Sequence, residues 1–330
     1  MADAGLLGMA APADVGGGGA SAGVVREVTE LLAGADAATW FVQAQHQGVV
    51  RMLAGNSSGA MKGPAATRYL PRLLTGELVA GFAFSHLRRF PERPVTAQRV
   101  AAGWRLDGVA PWYTGWGRND VAFVAGITDG GDVVFGAVPA IEGAGLTMKT
   151  RLRTAALDAA CTVVLALDGV IIADDDVALQ QPHADWLAGD AGAADANPGI
   201  FGVAASAVRL LHEAGVVRTE RATIEAAAVF GARLADVRSQ CYALADSVPL
   251  GEAIDERLAL RAVALELLIA ATSALVAANS GPAMAVSSPA QRKAREALFL
   301  LVQAQTAPAR AATLERWKAT VAAATSPARA

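Results

Sequence analysis

Asp120-Val-Ala-Phe-Val-Ala-Gly-Ile127, followed after Thr-Asp-Gly-Gly by Asp132-Val-Val-Phe-Gly-Ala-Val138, decides how this chain folds. Both runs are rich in β-branched and aromatic residues. The Asp-Gly-Gly between them supplies the backbone freedom that a tight reversal needs. The pair reads as two antiparallel strands. Cys161-Thr-Val-Val-Leu-Ala-Leu167 has the same composition, and Val100, Trp104, Leu106 and Val109 alternate with polar residues and glycine just upstream. Leu106-Asp107-Gly108 and Leu167-Asp168-Gly169 carry turn chemistry and are expected as turns. Residues 81–180 therefore read as a central antiparallel β domain.

On either side the period changes from two to that of a helix. Upstream, in 1–80, Val25, Val28, Leu31 and Leu32 share a helical face after a glycine-rich break at Gly16–Gly19. Further helices fit 37–53 and 69–74. Downstream, in 181–330, Asp185 to Asn197 reads as a flexible loop, and Pro198 suits a helix start. Ile200, Val203, Ala207, Val208 and Leu211 then form one apolar face. Long helices fit 218–246, 252–279 and 289–305, the last opened by Ser288-Pro289 as cap and first turn. Gly281-Pro282 separates the final two. The order is helices, β domain, then an antiparallel helix bundle. The low-complexity ends, 1–20 and 319–330, are expected to be mobile.

Composition limits the function. The chain has 330 residues, is 53% hydrophobic and carries a net charge of −3 with a pI near 5.9. That length buries a large core, and the mild acidity points to no nucleic-acid or anionic-membrane partner. No basic segment precedes an apolar run, so no signal peptide is expected. The most apolar stretch, Leu258 to Ala278, is broken by Arg261 and Glu266 and reads as a buried helix rather than a membrane span. Cys161 and Cys241 read as free thiols of a reducing, cytoplasmic compartment. His46, His183 and His212 show no metal or triad spacing.

Local motifs narrow the fold further. Gly5-Leu-Leu-Gly8 followed by Pro12 and Gly16–Gly19, Glu30-Leu-Leu-Ala-Gly-Ala-Asp-Ala-Ala-Thr-Trp40 with Gln45-His46, and Arg68-Tyr-Leu-Pro-Arg-Leu-Leu-Thr-Gly-Glu-Leu78 occur in that order. Gly81-Phe-Ala-Phe-Ser-His86, Gly103-Trp-Arg-Leu-Asp-Gly108, Trp112-Tyr-Thr-Gly115 and Pro289-Ala-Gln-Arg-Lys-Ala-Arg-Glu-Ala297 follow. In order and spacing these resemble the segments of the acyl-CoA dehydrogenase family over nearly the whole chain. The resemblance implies an α+β fold: N-terminal helices, a central antiparallel β domain and a C-terminal four-helix bundle. It starts in mid-domain, where family members carry further helices ahead of the GLLG segment.

The resemblance implies a flavoprotein holding FAD that oxidises an acyl-CoA or another acyl thioester at its α,β-carbons, as in fatty acid metabolism. Trp112 would pack on the flavin, Thr114 would hydrogen-bond near N5, and Ser85 would bond near the pyrimidine end. A buried strand tryptophan and a strand threonine are the alternative reading of the first two. Gly281 survives from a glycine pair near the cofactor, and Thr306 aligns with the threonine of the family's IYEGT segment. Other flavin-contacting segments have eroded. Arg218 and Arg221 could offer charge to a pyrophosphate, although a solvated helix face is their simpler role.

In the same register Ala304 falls where the family keeps its catalytic glutamate. A methyl group accepts no proton, whereas the backbone N–H of residue 304 remains able to hold a thioester carbonyl. Asp195, near the start of the first bundle helix, is the candidate replacement base; a carboxylate favoured by the helix dipole is the alternative. His86 is a second titratable candidate. Three functions follow: a dehydrogenase that depends on a partner subunit, a non-catalytic subunit of a hetero-oligomeric dehydrogenase, and a related flavin monooxygenase. Homo- or hetero-oligomers through the bundle accompany the first two.

Overall fold

The computed structural model describes residues 1–55 and 63–325. Its helices are α1 (Ala22–Ala35), α2 (Ala37–Leu53), α3 (Pro64–Thr75), α4 (His183–Gly189), α5 (Pro198–Arg218), α6 (Arg221–Ser247), α7 (Ile254–Asn279), α8 (Pro289–Val302) and α9 (Ala307–Thr325). Its strands are β1 (Ala80–Ala83), β2 (Val95–Val100), β3 (Gly103–Tyr113), β4 (Val121–Ile127), β5 (Asp132–Pro139), β6 (Leu146–Arg151), β7 (Val163–Ile172) and β8 (Val177–Pro182). The chain divides into two compact units, one of residues 1–26 and 38–190, the other of 27–37 and 191–330.

In the first unit the strands run β6-β7-β3-β2-β4-β5-β8, with β1 added beside β4. The expected β4–β5 hairpin is present, from Val121 opposite Pro139 to Ile127 opposite Val133. Most pairs are antiparallel; β4 pairs in parallel with β1 and, at one register position, with β2. β4 and β5 are buried on both faces. Phe123, Ala125, Ile127, Val133 and Phe135 join a core with α2, α3 and Trp186. Ala122, Val124, Val134 and Val138 join a second core with β2, β3, β6 and β7. That explains their continuous apolar runs, and each fully buried side chain such as Phe123 contributes about 1.5–3 kcal/mol.

Three expectations are corrected. Asp107-Gly108 and Asp168-Gly169 are not turns. They lie inside β3 and β7 beside a register shift between Leu106 and Gly108. Gly108 has φ +134°, and a Cβ there would meet Pro94 O at 2.0 Å. Asp107 Oδ1 accepts from Gly169 N at 2.8 Å across the irregularity, so the dipeptide chemistry serves a bulge. Asp185 to Asn197 is not a bare loop, because α4 and a following 3-10 turn occupy Asp185 to Ala194. Trp186 is buried there, and His183 Nε2 bonds Leu87 O at 2.9 Å.

The N-terminal segment is also anchored. Gln47 Nε2 donates to Leu6 O at 2.9 Å and Leu7 O at 2.7 Å. At the other end, 319–325 continue α9, and 326–330 lie outside the described residues.

The second unit is the helix bundle. α5 packs on α6, α7 and α8, and α7 packs on α6, α8 and α9. Asn197 caps α5, accepting from Gly199 N at 2.8 Å ahead of Pro198. Ser288 occupies the cap position of α8, but its side chain makes no cap bond. α8 stops at Val302 rather than 305, since the backbone turns extended at Gln303 and left-handed at Ala304. The second half of α1 belongs to this unit. Gly34 and Gly202 let α1 and α5 touch backbone to backbone, and a Cβ on Gly202 would meet Glu30 O at 2.1 Å. Beside that contact, Glu30 accepts from Arg238 Nε at 2.7 Å and from the Tyr242 hydroxyl. Lys293, fully buried, donates to Gly34 O and Glu296, both at 2.7 Å.

By length and apolarity a stretch ending in α5, and α7, could each cross a membrane, and half of each apolar window is buried inside the fold. Along α7, Arg257, Arg261 and Glu266 all make hydrogen bonds within the second unit.

Candidate functional site

Within the first unit the candidate residues gather at the C-terminal end of β3. Tyr113 is fully buried, so the strand's alternation turns Trp112 outward, and its side chain is 57% exposed. An indole this open is presented rather than used as core. Thr114 is buried, with its hydroxyl 3.0 Å from that of Thr162, the residue before β7. One hydroxyl donates and the other accepts, so a lone pair or a proton is left for a further partner.

Asn119 holds the turn after Thr114. Its Nδ2 donates to Thr114 O at 2.8 Å and to the Tyr113 hydroxyl at 3.1 Å. A Cβ on Gly81 or Gly115 would lie 2.2 or 2.3 Å from that amide nitrogen, so both glycines make room for the clamp. Neither Asn119 nor Thr162 was singled out from sequence. The polar Asn119 at the edge of the apolar β4 run was the available signal.

Ser85 opens a one-turn helix after β1 and is half-buried. His86 beside it is fully buried, and its Nε2 donates to Ala125 O at 2.9 Å. Burial pushes its pKa down to about 4, so the ring is neutral at pH 7. His46 is alike: Nδ1 accepts from Ala80 N at 3.1 Å, and burial lowers its pKa to about 4. Both histidines serve the fold.

Within the second unit the decisive element is the turn 303–306 between α8 and α9. Ala304 adopts the left-handed region at φ +51°, which a residue with a Cβ adopts at a cost of about 1–2 kcal/mol. Its N–H makes no hydrogen bond among the described residues, whereas Gln303, Gln305 and Thr306 N–H groups bond Phe299 O, Val302 O and Ala304 O. Thr306 Oγ1 accepts from Ala309 N at 3.3 Å and caps α9.

Asp195 does not stand open. Its carboxylate accepts from Arg257 Nη1 at 2.5 Å, and the same guanidinium donates to Glu252 O, Val248 O and Pro249 O. One helical turn on, Arg261 donates to Ala193 O and Gln303 O. Two arginines four residues apart thus tie both candidate base positions to α7. The signal for them was one cation inside the most apolar stretch, Arg261, and one directly before it, Arg257.

Gly281 begins a 3-10 turn after α7, and open space faces its Cα. Arg218 donates to Ala278 O, and Arg221 pairs with Glu225 at 2.6 Å on an exposed face. Cys161 and Cys241 are free. Burial, and then the Asp195 charge, push the Cys241 thiol up to about 12.

Taken unit by unit, the fit to a flavin is partial. Trp112 offers a bare aromatic face beside a threonine pair with hydrogen-bonding capacity to spare, and Gly281 leaves backbone open. The arginines that could have met a pyrophosphate are engaged elsewhere.

No protein-family profile and no curated protein matches the sequence. Solved structures do. The butyryl-CoA dehydrogenase of Megasphaera elsdenii superposes with a TM-score of 0.75 at 16% identity, over 96% of this chain and 88% of that one. A glutaryl-CoA dehydrogenase of Mycobacterium smegmatis, solved with FADH2, gives 0.77 at 20% identity, over 97% and 85%. The dibenzothiophene monooxygenase of Paenibacillus sp. A11-2 gives 0.75 at 19%, over 96% and 88%. The chain has the acyl-CoA dehydrogenase fold, as its motifs led us to expect.

Proposed function

We propose that this chain is a subunit of a flavin-dependent dehydrogenase of acyl thioesters, working with an acyl-CoA dehydrogenase-type partner that supplies the α-proton base. The observation that carries this reading is the turn at Ala304. It keeps a left-handed backbone and an N–H unengaged among the described residues, but ends in a methyl group. Such strain persists where the surroundings over-determine it, and it clusters at functional sites. The N–H is suited to a thioester carbonyl, whose oxygen gains negative charge as the α-proton leaves.

Asp195 is a poor replacement base, because taking up a proton would remove the counter-charge of a buried guanidinium. FAD would supply the hydride acceptor for the substrate β-carbon. Ser85, Trp112 and Thr114, all in the first unit, are the residues proposed to hold its ring; Gly281 and Thr306 are proposed separately as cofactor contacts of the second unit. Trp112 would shield the flavin from water, and Thr114, fixed by Thr162 and Asn119, would offer it a hydrogen bond.

The test is spectroscopic. Purified chain is examined for flavin absorbance, then bleached anaerobically with acyl-CoA, alone and after assembly with a homologous dehydrogenase-type subunit. The expected result is slow bleaching alone and faster bleaching in the assembly than by the partner alone. Equal rates in the assembly and the partner would sink the proposal. A second reading, a flavin monooxygenase, needs no α-proton base and draws support from the likeness to the dibenzothiophene enzyme. Flavin that acyl-CoA never bleaches, but that consumes oxygen once reduced, would favour it.

A further inference from the structure

We infer that Arg261 is a positioning residue for the carbonyl-binding turn at Ala304. This rests on the reading of 303–306 as a thioester-binding turn. Arg261 sits on α7 with 3% of its surface exposed. Nη2 donates to Gln303 O at 2.9 Å and reaches Gln305 Oε1 at 3.4 Å, while Nη1 donates to Ala193 O. The guanidinium therefore grips the residues on both sides of Ala304 and the backbone of the segment before α5. Asn197 completes the grip by donating to Gln303 Oε1 at 3.2 Å.

The consequence follows from peptide geometry. The carbonyl of Gln303 and the N–H of Ala304 belong to one planar peptide and point in opposite directions. A donor that captures the Gln303 carbonyl at 2.9 Å fixes where the Ala304 N–H points. Hydrogen bonds from a charged donor are the stronger kind, and a planar guanidinium holds several acceptors at set angles where an ammonium holds one point. Arg261 thus turns the Ala304 N–H away from α7 and keeps it from relaxing into helical bonding. It acts on the reacting thioester only through that peptide.

The test uses the full chain with flavin supplied, as wild type, R261K and R261M. Two readouts are taken. The first is amide exchange by mass spectrometry over 300–308, where the Gln303, Gln305 and Thr306 N–H groups report the turn. The second is the ratio of affinities for an acyl-CoA and its S-alkyl-CoA thioether of equal length, measured for four-, eight- and sixteen-carbon chains. The thioether lacks the carbonyl, so the ratio isolates the N–H contact from general weakening. Wild type is expected to favour the thioester by about tenfold, the yield of one well-made hydrogen bond. R261M should speed exchange in that segment and bring the ratio near one, with R261K between.

Unchanged exchange and an unchanged ratio in R261M overturn the assignment while leaving the carbonyl-binding reading intact. A wild type with no preference overturns the carbonyl-binding reading and the proposal with it, even where R261M loosens the turn. If R261M does not fold, R261K decides: a ratio equal to wild type overturns the proposal.

Discussion

The carboxylate of Asp195 lies 2.5 Å from Nη1 of Arg257, a side chain only 2% exposed, whereas Asp195 itself is 31% exposed. Three backbone carbonyls complete the guanidinium's shell. This makes Asp195 the counter-charge of a buried cation that pins the α6–α7 connection. Asp195→Asn should lower stability by about 1–3 kcal/mol, less than a fully buried pair because water reaches the carboxylate. Urea denaturation measures it. Flavin bleaching by acyl-CoA should be unaffected once folded protein is compared. A folded variant that has lost bleaching would make Asp195 the base after all.

Gly202 carries a different load. A Cβ there would be 2.1 Å from Glu30 O and 2.8 Å from its carbonyl carbon, both backbone atoms that cannot swing aside. Gly202→Ala should therefore push α1 off α5 and cost about 1–3 kcal/mol or more. It should also loosen Glu30 from Arg238 and Tyr242, and Lys293 from Gly34 O. Thermal unfolding of the variant checks the first effect, and exchange over 27–37 checks the second.

These two contacts mark the limit of what the sequence reveals. β4 and β5 were legible because strands buried on two faces must be apolar throughout, and their composition says so locally. The long bundle helices were legible from their period. Asp107-Gly108 and Asp168-Gly169 were misread because a bulge and a turn ask for the same left-handed or extended glycine; only the pairing of β3 with β7 distinguishes them. Gly34 and Gly202 are far apart in sequence, and their meaning exists only where α1 crosses α5. The candidate site divides in the same way. Trp112, Thr114 and Ala304 could be placed by motif and register. Asn119, Arg257 and Arg261 stand out locally only as polar groups beside apolar runs, and Thr162 not at all; what each of them holds depends on partners that the fold brings to it.

The buried histidines predict acid sensitivity. His46 and His86 have pKa values lowered by burial from 6.5 to about 4. The unfolded chain therefore takes up their protons first. Their contribution to stability is present above pH 6.5 and is lost as pH falls from there through about 4. The separation corresponds to at most about 3 kcal/mol per histidine. Urea midpoints measured between pH 7 and 4.5 should fall steadily, and His86→Asn should flatten the fall after allowing for its own cost at pH 7. A midpoint that is constant over this range would contradict the burial of both rings.

Ala304 offers the most direct test of the chemistry. If the turn still presents residue 304 to an acyl thioester, Ala304→Glu returns a carboxylate to it. The backbone already sits at φ +51° with a Cβ in place, so glutamate adds little strain beyond what alanine carries. Ala304→Gly removes that strain and should raise stability by up to about 1 kcal/mol, leaving activity low. Ala304→Glu should speed flavin bleaching, and exchange of the substrate α-proton with deuterated solvent, by about 10²–10⁴-fold, the usual contribution of a placed base. The two rates should rise together with pH as the new carboxyl ionises. Stabilisation by glycine with no gain from glutamate would separate the strained turn from the chemistry: the turn would stand as built, and the thioester would have to be sought elsewhere.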